Sequence, residues 1–194
     1  MHKVKFKRIG KNVQIYDPVT FINPEYIVLN SNIIISEFSF INAGLGLFVG
    51  NYIHISPHTS VMGGGHCILE DFVGLSTGVR LITGMDDYSG KALTNPTVPL
   101  EYRSIDKSMI HCKKHSLLAT NVVVHPGVTI GEGAVAASNS VVTKDLEPWG
   151  VYMGSPAKKV KEREREKILE YEDDLKIKYN FKNSDYRSFI KKPT

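Results

Sequence analysis

The sequence has little cysteine and no long apolar run. Only Cys67 and Cys112 are present, far apart in the chain, which favours a reduced, cytoplasmic setting over a disulfide framework. No segment approaches the ~18 consecutive apolar residues of a membrane-spanning helix, so we expect no membrane insertion. The N-terminal segment MHKVKFKRIG lacks the apolar region of a secretory signal.

The excess of one sign of charge over the other is also small. The 24 basic residues nearly balance the 20 acidic ones, and no Lys/Arg-rich run lies beside interleaved aromatic residues. The sequence therefore predicts no nucleic-acid partner. With 42% apolar and 23% charged residues the composition is typical of a globular protein, and we expect residues 1–194 to form a single domain.

A six-residue repeat organises the stretch from residue 118 to residue 142. Leu118, Val124, Ile130, Ala136 and Val142 are apolar and lie six positions apart. The period is that of neither an α-helix nor a simple strand. It fits a coil with three flat faces, each a short strand and a corner, and repeats of this kind indicate a parallel β-helix. The predicted fold is all-β.

Coils of 20 residues extend the pattern toward the N-terminus. The predicted inward positions are Ile9, Ile15 and Phe21; Leu29, Ile35 and Ile41; Val49, Ile55 and Val61; Leu69, Leu75 and Leu81; and, after an interruption, Cys112. All are apolar, as stacked coils with a common interior require. The β-helix is predicted to span residues 9–160.

The register breaks between Ile82 and Ile110. This segment contains Pro96 and Pro99 and has neither the hexad nor a helical period. A loop of this length inside a compact repeat is uncommon unless it is functional. We therefore predict an extruded loop, about residues 83–110, that covers a site.

The C-terminal composition changes to Glu, Arg and Lys from about residue 161. Ile168, Tyr171, Leu175 and Tyr179 then recur at helical spacing on one face. The sequence predicts a capping α-helix over residues 161–180 that closes or flanks the open end of the solenoid.

Two stretches resemble known enzymes. The run VHPGVTIGEGAVAASNSVVTKDLEPWGVYMGSPAKKVK resembles the C-terminal signature of the hexapeptide-repeat acyltransferases. This resemblance implies a left-handed β-helix, a homotrimer, and acyl-CoA, here acetyl-CoA as co-substrate, bound in grooves between subunits. The run DFVGLSTGVRLITGMDDYSGKALTNPTVPLEYR resembles sugar acyltransferases of polysaccharide gene clusters, in particular N-acyltransferases of nucleotide-linked 4-amino-4,6-dideoxyglucose, the viosamine or anthrose type.

The loop lacks the histidine base that the galactoside and maltose O-acetyltransferases carry after a Thr-Gly turn. Here Thr83-Gly84 is followed by Met85-Asp86-Asp87. A sugar hydroxyl needs a base of near-neutral pKa, usually histidine, whereas a neutral amine needs only a modest proton acceptor. We therefore predict Asp86 as a catalytic residue, with Ser76 as its hydrogen-bonding partner. In the resembled N-acyltransferases a serine and an aspartate so placed lie beside the sugar amine.

The resemblance also implies binding residues. Those for the cofactor are Ala119 and Ala137 beside the pantetheine arm, and Thr143, Lys144, Gly154, Ser155, Pro156 and Lys159 toward the adenosine and its phosphates. Those for the nucleotide sugar are Asp87, Tyr88, Asn95, Tyr102 and Arg103, the arginine as a ligand of phosphate.

Two other functions fit the sequence. An O-acetyltransferase of a surface polysaccharide or lipopolysaccharide sugar would use His54 or His66 as its base. A non-catalytic β-helix scaffold is the alternative of another class, but a scaffold has no reason to keep a long polar loop beside a Ser/Asp pair. The hexad corners carry no pair of histidines with zinc-ligand spacing, so no metal is expected. Cys67 and Cys112 are expected to fill core space.

Overall fold

The computed structural model describes residues 4–190, in which short strands wind around three faces in about seven turns. The predicted single domain also includes residues 1–3 and 191–194, which lie outside the described residues. In chain order the strands are β1 (Arg8–Ile9), β2 (Val13–Ile15), β3 (Thr20–Ile22), β4 (Ile27–Leu29), β5 (Ile33–Ile35), β6 (Phe40–Asn42), β7 (Gly46–Val49), β8 (Ile53–Ile55), β9 (Ser60–Met62), β10 (His66–Leu69), β11 (Gly74–Leu75), β12 (Arg80–Ile82), β13 (Gly84–Asp86), β14 (Ile105–Lys107), β15 (Ile110–Cys112), β16 (Leu117–Leu118), β17 (Val123–Val124), β18 (Thr129–Ile130), β19 (Val135–Ala136), β20 (Val141–Val142), β21 (Gly150–Met153) and β22 (Lys158–Glu162). The helices are 3₁₀ turns at Pro24–Tyr26 and Leu100–Tyr102, α1 (Glu166–Tyr179) and α2 (Arg187–Ile190).

Three sheets form the faces of the solenoid. Face A has the strand order β1-β4-β7-β10-β15-β18, face B the order β2-β5-β8-β11-β16-β19-β21-β22, and face C the order β3-β6-β9-β12-β17-β20. Every pairing within these faces is parallel except β21 with β22, and successive coils stay in register. The predicted all-β parallel β-helix is confirmed, and its coils fit the left-handed form of the fold.

The interior is filled by the predicted inward column. From the second coil onward every predicted position is buried, and Leu118, Val124 and Ile130 are 0% exposed. The first coil differs, because Ile9 is 52% exposed although it aligns with Leu29 in the ladder. No coil of the described residues stacks on its outer side, so the same position is no longer enclosed.

The corner between faces A and B carries a stack of rings. Tyr52 stacks on Phe72 with ring centroids 5.3 Å apart, and Phe72 stacks on His115 at 4.9 Å. All three residues have a left-handed backbone, with φ between 57° and 64°. This conformation is uncommon for bulky residues, and here the corner itself imposes it in every coil.

The C-terminal helix begins later than predicted. β22 occupies Lys158–Glu162 as an antiparallel partner of β21, so α1 starts at Glu166 rather than at residue 161. On the predicted helix face Ile168 and Leu175 are half-buried, whereas Tyr171 and Tyr179 are exposed. The buried residue of α1 is Glu172, and apolar periodicity cannot predict the burial of a charged residue.

Glu172 docks α1 on the corner between faces A and B. Its carboxylate accepts hydrogen bonds from Lys114 (2.5 Å) and His115 (2.7 Å) and pairs with Lys176 at 2.9 Å. Burial alone would raise the pKa of the Glu172 carboxyl, but the hydrogen bonds from Lys114, Lys176 and His115 outweigh burial and lower it to about 2. The helix thus flanks the solenoid along its length instead of closing its end.

The segment after α1 runs back over face A. The N–H and hydroxyl of Ser184 donate to Asp71 at 2.8 and 2.6 Å. Tyr186 and Phe189 then pack on Phe48, with ring centroids 6.3 and 5.7 Å away. Face A is therefore covered by the chain's own C-terminal residues, while faces B and C stay open. Within residues 4–190 no helix has the length and apolarity needed to span a membrane.

Candidate active site in the extruded loop

The predicted loop leaves the solenoid at the corner between faces C and A. Its base is a hairpin in which β13 pairs antiparallel with β14, and Asp86 lies opposite Ile105. Gly63 and Gly84 allow the close approach, because a Cβ on Gly63, which has φ of 110°, would collide with the backbone of Gly84. The loop therefore starts in a fixed direction from the coil.

A cavity of about 550 Å³ lies between this hairpin and the solenoid. Its lining includes the apolar side chains of Met62 and Ile82, the carboxylate of Asp86, and the cations of Arg103 and Lys107. No histidine is among the described residues that line it. The sequence did not indicate Lys107, because only the long-range pairing of β13 with β14 places it opposite Gly84 and in the same cavity as Asp86.

Asp86 is held by two donors. The guanidinium Nη2 of Arg103 donates to Oδ1 at 2.8 Å, and the backbone N–H of Asn95 donates to Oδ2 at 3.1 Å. The hydrogen bond from Arg103, followed by that from Asn95, lowers the pKa of the Asp86 carboxyl below its ordinary value. The carboxylate is therefore ionised at neutral pH and aimed by the loop.

Ser76 does not bond to Asp86 within one chain. It follows β11 at the corner between faces B and C, whereas Asp86 lies beyond β12 at the other edge of face C. The intervening strand and corner separate them by on the order of 15 Å at the rise of a β-strand. The predicted hydrogen bond is therefore wrong for residues of the same subunit.

Ser76 instead lies in one column with two residues that were predicted to bind the cofactor. Because Leu75, Leu118 and Ala136 align across face B, the residues that follow them, Ser76, Ala119 and Ala137, lie above one another at the corner. Their spacing is ~4.8 Å, the distance between paired strands. Their small side chains form the floor of a groove that runs along the solenoid axis.

The remaining cofactor candidates fall on both edges of face C. Thr143 and Lys144 are exposed at the edge near face A, above the strand that leads into the loop. Gly154, Ser155 and Pro156 form an exposed turn between β21 and β22. The candidates therefore do not form one continuous site within a single subunit.

Lys159 is not an isolated cation. Its ammonium group lies 2.7 Å from Glu162 and 3.0 Å from Glu147. These two hydrogen bonds, the one to Glu162 first, raise the pKa of Lys159. Its positive charge is thus already balanced in this chain, which weakens its assignment to a cofactor phosphate.

The residues predicted to bind the nucleotide sugar divide into two groups. Asp87 caps the loop's own backbone, accepting from the N–H groups of Ser89 (2.9 Å) and Lys91 (2.8 Å). A hydrogen bond from the Ser89 side chain, followed by these backbone bonds, lowers the pKa of Asp87. The side-chain oxygen of Asn95 likewise accepts from Thr97 at 3.0 Å. The tyrosines differ: Tyr88 is 81% exposed and Tyr102 60%. Both are open to a ligand.

The two alternative bases belong to strands of faces A and B. His54 projects from β8 on face B and contacts the hydroxyl of Ser36 at 3.1 Å. His66 lies on β10 of face A against Phe189, with ring centroids 6.2 Å apart. Neither histidine is among the described residues that line the cavity beside Asp86.

Metal binding and cysteine reactivity find no support in the part of the chain that the structure describes. Within residues 4–190 no group of histidine, cysteine, aspartate and glutamate side chains could hold a metal ion. Cys67 and Cys112 are buried free thiols. Burial raises the pKa of both, that of Cys112 to about 12, so neither is a reactive thiolate at neutral pH.

Comparisons with known proteins place the chain in a family, although no protein-family model matches it. It is 34% identical over 177 residues, 91% of this chain and 92% of the relative, to the dTDP-4-amino-4,6-dideoxy-D-glucose acyltransferase of Escherichia coli. The N-acyltransferase AntD of Bacillus cereus, solved with dTDP-4-amino-4,6-dideoxyglucose and coenzyme A, has a TM-score of 0.85 and 32% identity, covering 89% of this chain and 91% of AntD. AntD was also solved with dTDP and 3-hydroxybutyryl-CoA.

Two further findings bear on the fold and the site. The hexapeptide-repeat acetyltransferase VCA0836 of Vibrio cholerae shares the fold, with a TM-score of 0.54 and 20% identity over 82% of this chain and 72% of its own. The AntD structures include variants of one serine and of one aspartate ten positions later. The chain therefore belongs to the hexapeptide-repeat acyltransferases, within the family that contains the dTDP-4-amino-4,6-dideoxyglucose N-acyltransferases.

Proposed function

We propose that this protein transfers the acetyl group of acetyl-CoA to the amino group of a nucleotide-linked 4-amino-4,6-dideoxy sugar. The observation that carries the proposal is the similarity to AntD, which extends over 89% of the chain. AntD was solved with an amino sugar of this class and with coenzyme A. The cavity beside Asp86 is where we expect the amino sugar to bind.

The chemistry of the cavity suits an amine. The neutral amine attacks the thioester carbonyl, the C–S bond breaks, CoA leaves as its thiolate, and the nitrogen loses one proton, which is finally passed to that thiolate. Asp86 is ionised and lies in the cavity, so it serves as the acceptor for that proton. A hydroxyl acceptor would need a stronger base, and the described lining of the cavity contains no histidine.

We further propose that the active site forms between subunits of a homotrimer. Ser76 and the small groove residues Ala119 and Ala137 lie on one edge of face C, and Asp86 lies on the other. A threefold assembly can bring one edge of a subunit against the opposite edge of its neighbour. The exposed aromatic side chains of Phe38 and Phe40, beside the first of these edges, supply an apolar surface for that contact.

In this arrangement the groove holds the cofactor. The pantetheine arm would run along the corner of Ala119 and Ala137 and present its thioester beside Ser76. Of the residues proposed for the adenosine and its phosphates, those at 143–144 and 154–156 are exposed, and Lys144 supplies a point charge. Tyr88 and Tyr102 of the loop would contact the nucleotide sugar.

The serine and aspartate of AntD support the assignment of Ser76 and Asp86, because the spacing of ten residues is the same in both chains. We also propose a cytoplasmic location, consistent with two unpaired buried cysteines, and a role in polysaccharide biosynthesis. Both follow from a substrate that is an activated sugar.

Thiol release from acetyl-CoA tests the function. The protein is supplied with dTDP-4-amino-4,6-dideoxyglucose or with the matching sugar that carries a hydroxyl at the same carbon. We expect release only with the amino sugar. Release only with the hydroxy sugar would indicate the O-acetyltransferase, and release with neither would indicate the scaffold.

Substitutions at the two proposed residues test the site. We expect Asp86→Asn and Ser76→Ala each to lower kcat by about tenfold or more, the scale of a lost proton acceptor or its partner. Asp174→Asn on the exposed side of α1 is the matched control and should keep the wild-type rate. Wild-type rates in the Asp86 and Ser76 variants would remove both residues from the mechanism.

A further inference from the structure

We propose that Arg103 is a positioning residue that holds the carboxylate of Asp86, and that it is not a ligand of the nucleotide phosphates. This inference rests on the proposed function, because it concerns the group that accepts the proton of the sugar amine. It also replaces the assignment that the sequence alone suggests for this arginine.

The two donors to Asp86 divide its oxygens between them. Arg103 occupies one acceptor direction on Oδ1, at 2.8 Å, and the N–H of Asn95 occupies one on Oδ2, at 3.1 Å. Each carboxylate oxygen accepts up to two hydrogen bonds, so each keeps one open direction. The carboxylate is thereby fixed in orientation while it remains able to accept a proton from the cavity.

The environment of Arg103 suits a partner within the loop. Its side chain is 11% exposed, less than the 24% of Asp86, and among the described residues its Nε is buried without a hydrogen-bond partner. A guanidinium so enclosed needs its carboxylate, because an unpaired buried charge is costly. It presents little surface to a phosphate that arrives from solvent.

The backbone of the loop places the guanidinium. The N–H of Arg103 donates to the carbonyl of Leu100 at 3.1 Å and closes the 3₁₀ turn. A bridge from Leu93 to Arg103 and a hydrogen bond from the N–H of Leu93 to the carbonyl of Tyr102, 2.9 Å, tie the two arms of the loop together. The position of Arg103 is thus set by the loop before any substrate binds.

The reaction would depend on this contact through orientation. Without the arginine the carboxylate can rotate away from the amine, and a misplacement of about 1 Å costs up to about 100-fold in rate. Nucleotide affinity would change little, because the arginine does not touch the phosphates. A phosphate ligand would behave in the opposite way, since its loss weakens binding and leaves kcat unchanged.

Steady-state kinetics of Arg103→Gln and Arg103→Lys, alone and combined with Asp86→Asn, test the inference. We expect Arg103→Gln to lower kcat by about 10- to 100-fold with KM for the nucleotide sugar within about threefold of wild type. Arg103→Lys, which keeps the charge, should lose less. In the Asp86→Asn background the Arg103→Gln change should have little further effect on kcat. Arg165→Gln, an exposed arginine outside the loop, is the control and should keep wild-type values.

The outcomes separate this inference from the proposed function. A wild-type protein without acetyl transfer to the amino sugar would defeat the proposed function itself. With an active wild type, a raised KM at unchanged kcat, or losses that multiply those of Asp86→Asn, would show that Arg103 binds substrate. Loss of nucleotide-sugar binding in both Arg103 variants would equally contradict a positioning role.

Discussion

Two neighbouring leucines offer a sharp test of the solenoid. Leu118 is 0% exposed and aligns between Leu75 and Ala136 inside the prism, whereas Leu117 is half-buried on the outer side of the same strand. Leu118→Ala removes three carbons, which cost about 2.4 kcal/mol at ~0.8 kcal/mol each. The cavity left behind brings the expected loss in the free energy of unfolding to about 2–5 kcal/mol.

Leu117→Ala is the matched control, because residue type, substitution and strand are the same. We expect it to cost less than half as much. Urea unfolding followed by circular dichroism measures both, at one protomer concentration because oligomer stability depends on concentration. Equal losses, or a larger loss for Leu117→Ala, would refute the assignment of the inward column.

Three further predictions concern the rest of the chain. Glu172→Gln should speed hydrogen exchange in α1, and unchanged exchange in the variant would contradict the docking of this helix. The wild type should lose the same protection as the pH falls from about 4.5 toward 2, because Glu172, whose pKa is lowered, stabilises the docked helix only while its carboxyl is ionised. Gly133→Ala should lower the melting temperature, since φ is 66° and a Cβ there would collide with the ring of Trp149; an unaltered melting temperature would show that the corner can relax. Cys67 and Cys112 should react with a thiol reagent only at the rate of unfolding, and fast labelling of the native protein would mean that the thiols are accessible.

The coils could be predicted because their signal is local. Each inward position, such as Leu118 or Ile130, is specified by residues six positions away, and burial follows directly from the repeat. The docking of α1 could not be predicted in the same way. Its buried position is Glu172, whose partners His115 and Lys114 lie 57 and 58 residues earlier, and apolar periodicity cannot indicate a buried carboxylate.

The candidate site was predictable only in part. The missing histidine and the carboxylate of Asp86 could be read from the loop sequence. The contact with Arg103 could not, because it depends on the antiparallel pairing of β13 with β14 across 18 intervening residues, from Gly84–Asp86 to Ile105–Lys107. The separation of Ser76 from Asp86 was hidden for a different reason, since ten residues of a β-helix span a whole face.

Mixed trimers test the proposed site most directly. Ser76→Ala and Asp86→Asn subunits, each expected to be slowed about tenfold or more alone, are co-expressed with different affinity tags and purified as mixed assemblies. If each site takes Ser76 from one subunit and Asp86 from its neighbour, a purified mixed trimer keeps both residues in roughly one of its three sites, and acetyl transfer should recover to about a third of the wild-type rate. Mixed trimers as slow as either parent variant would contradict a site shared between subunits.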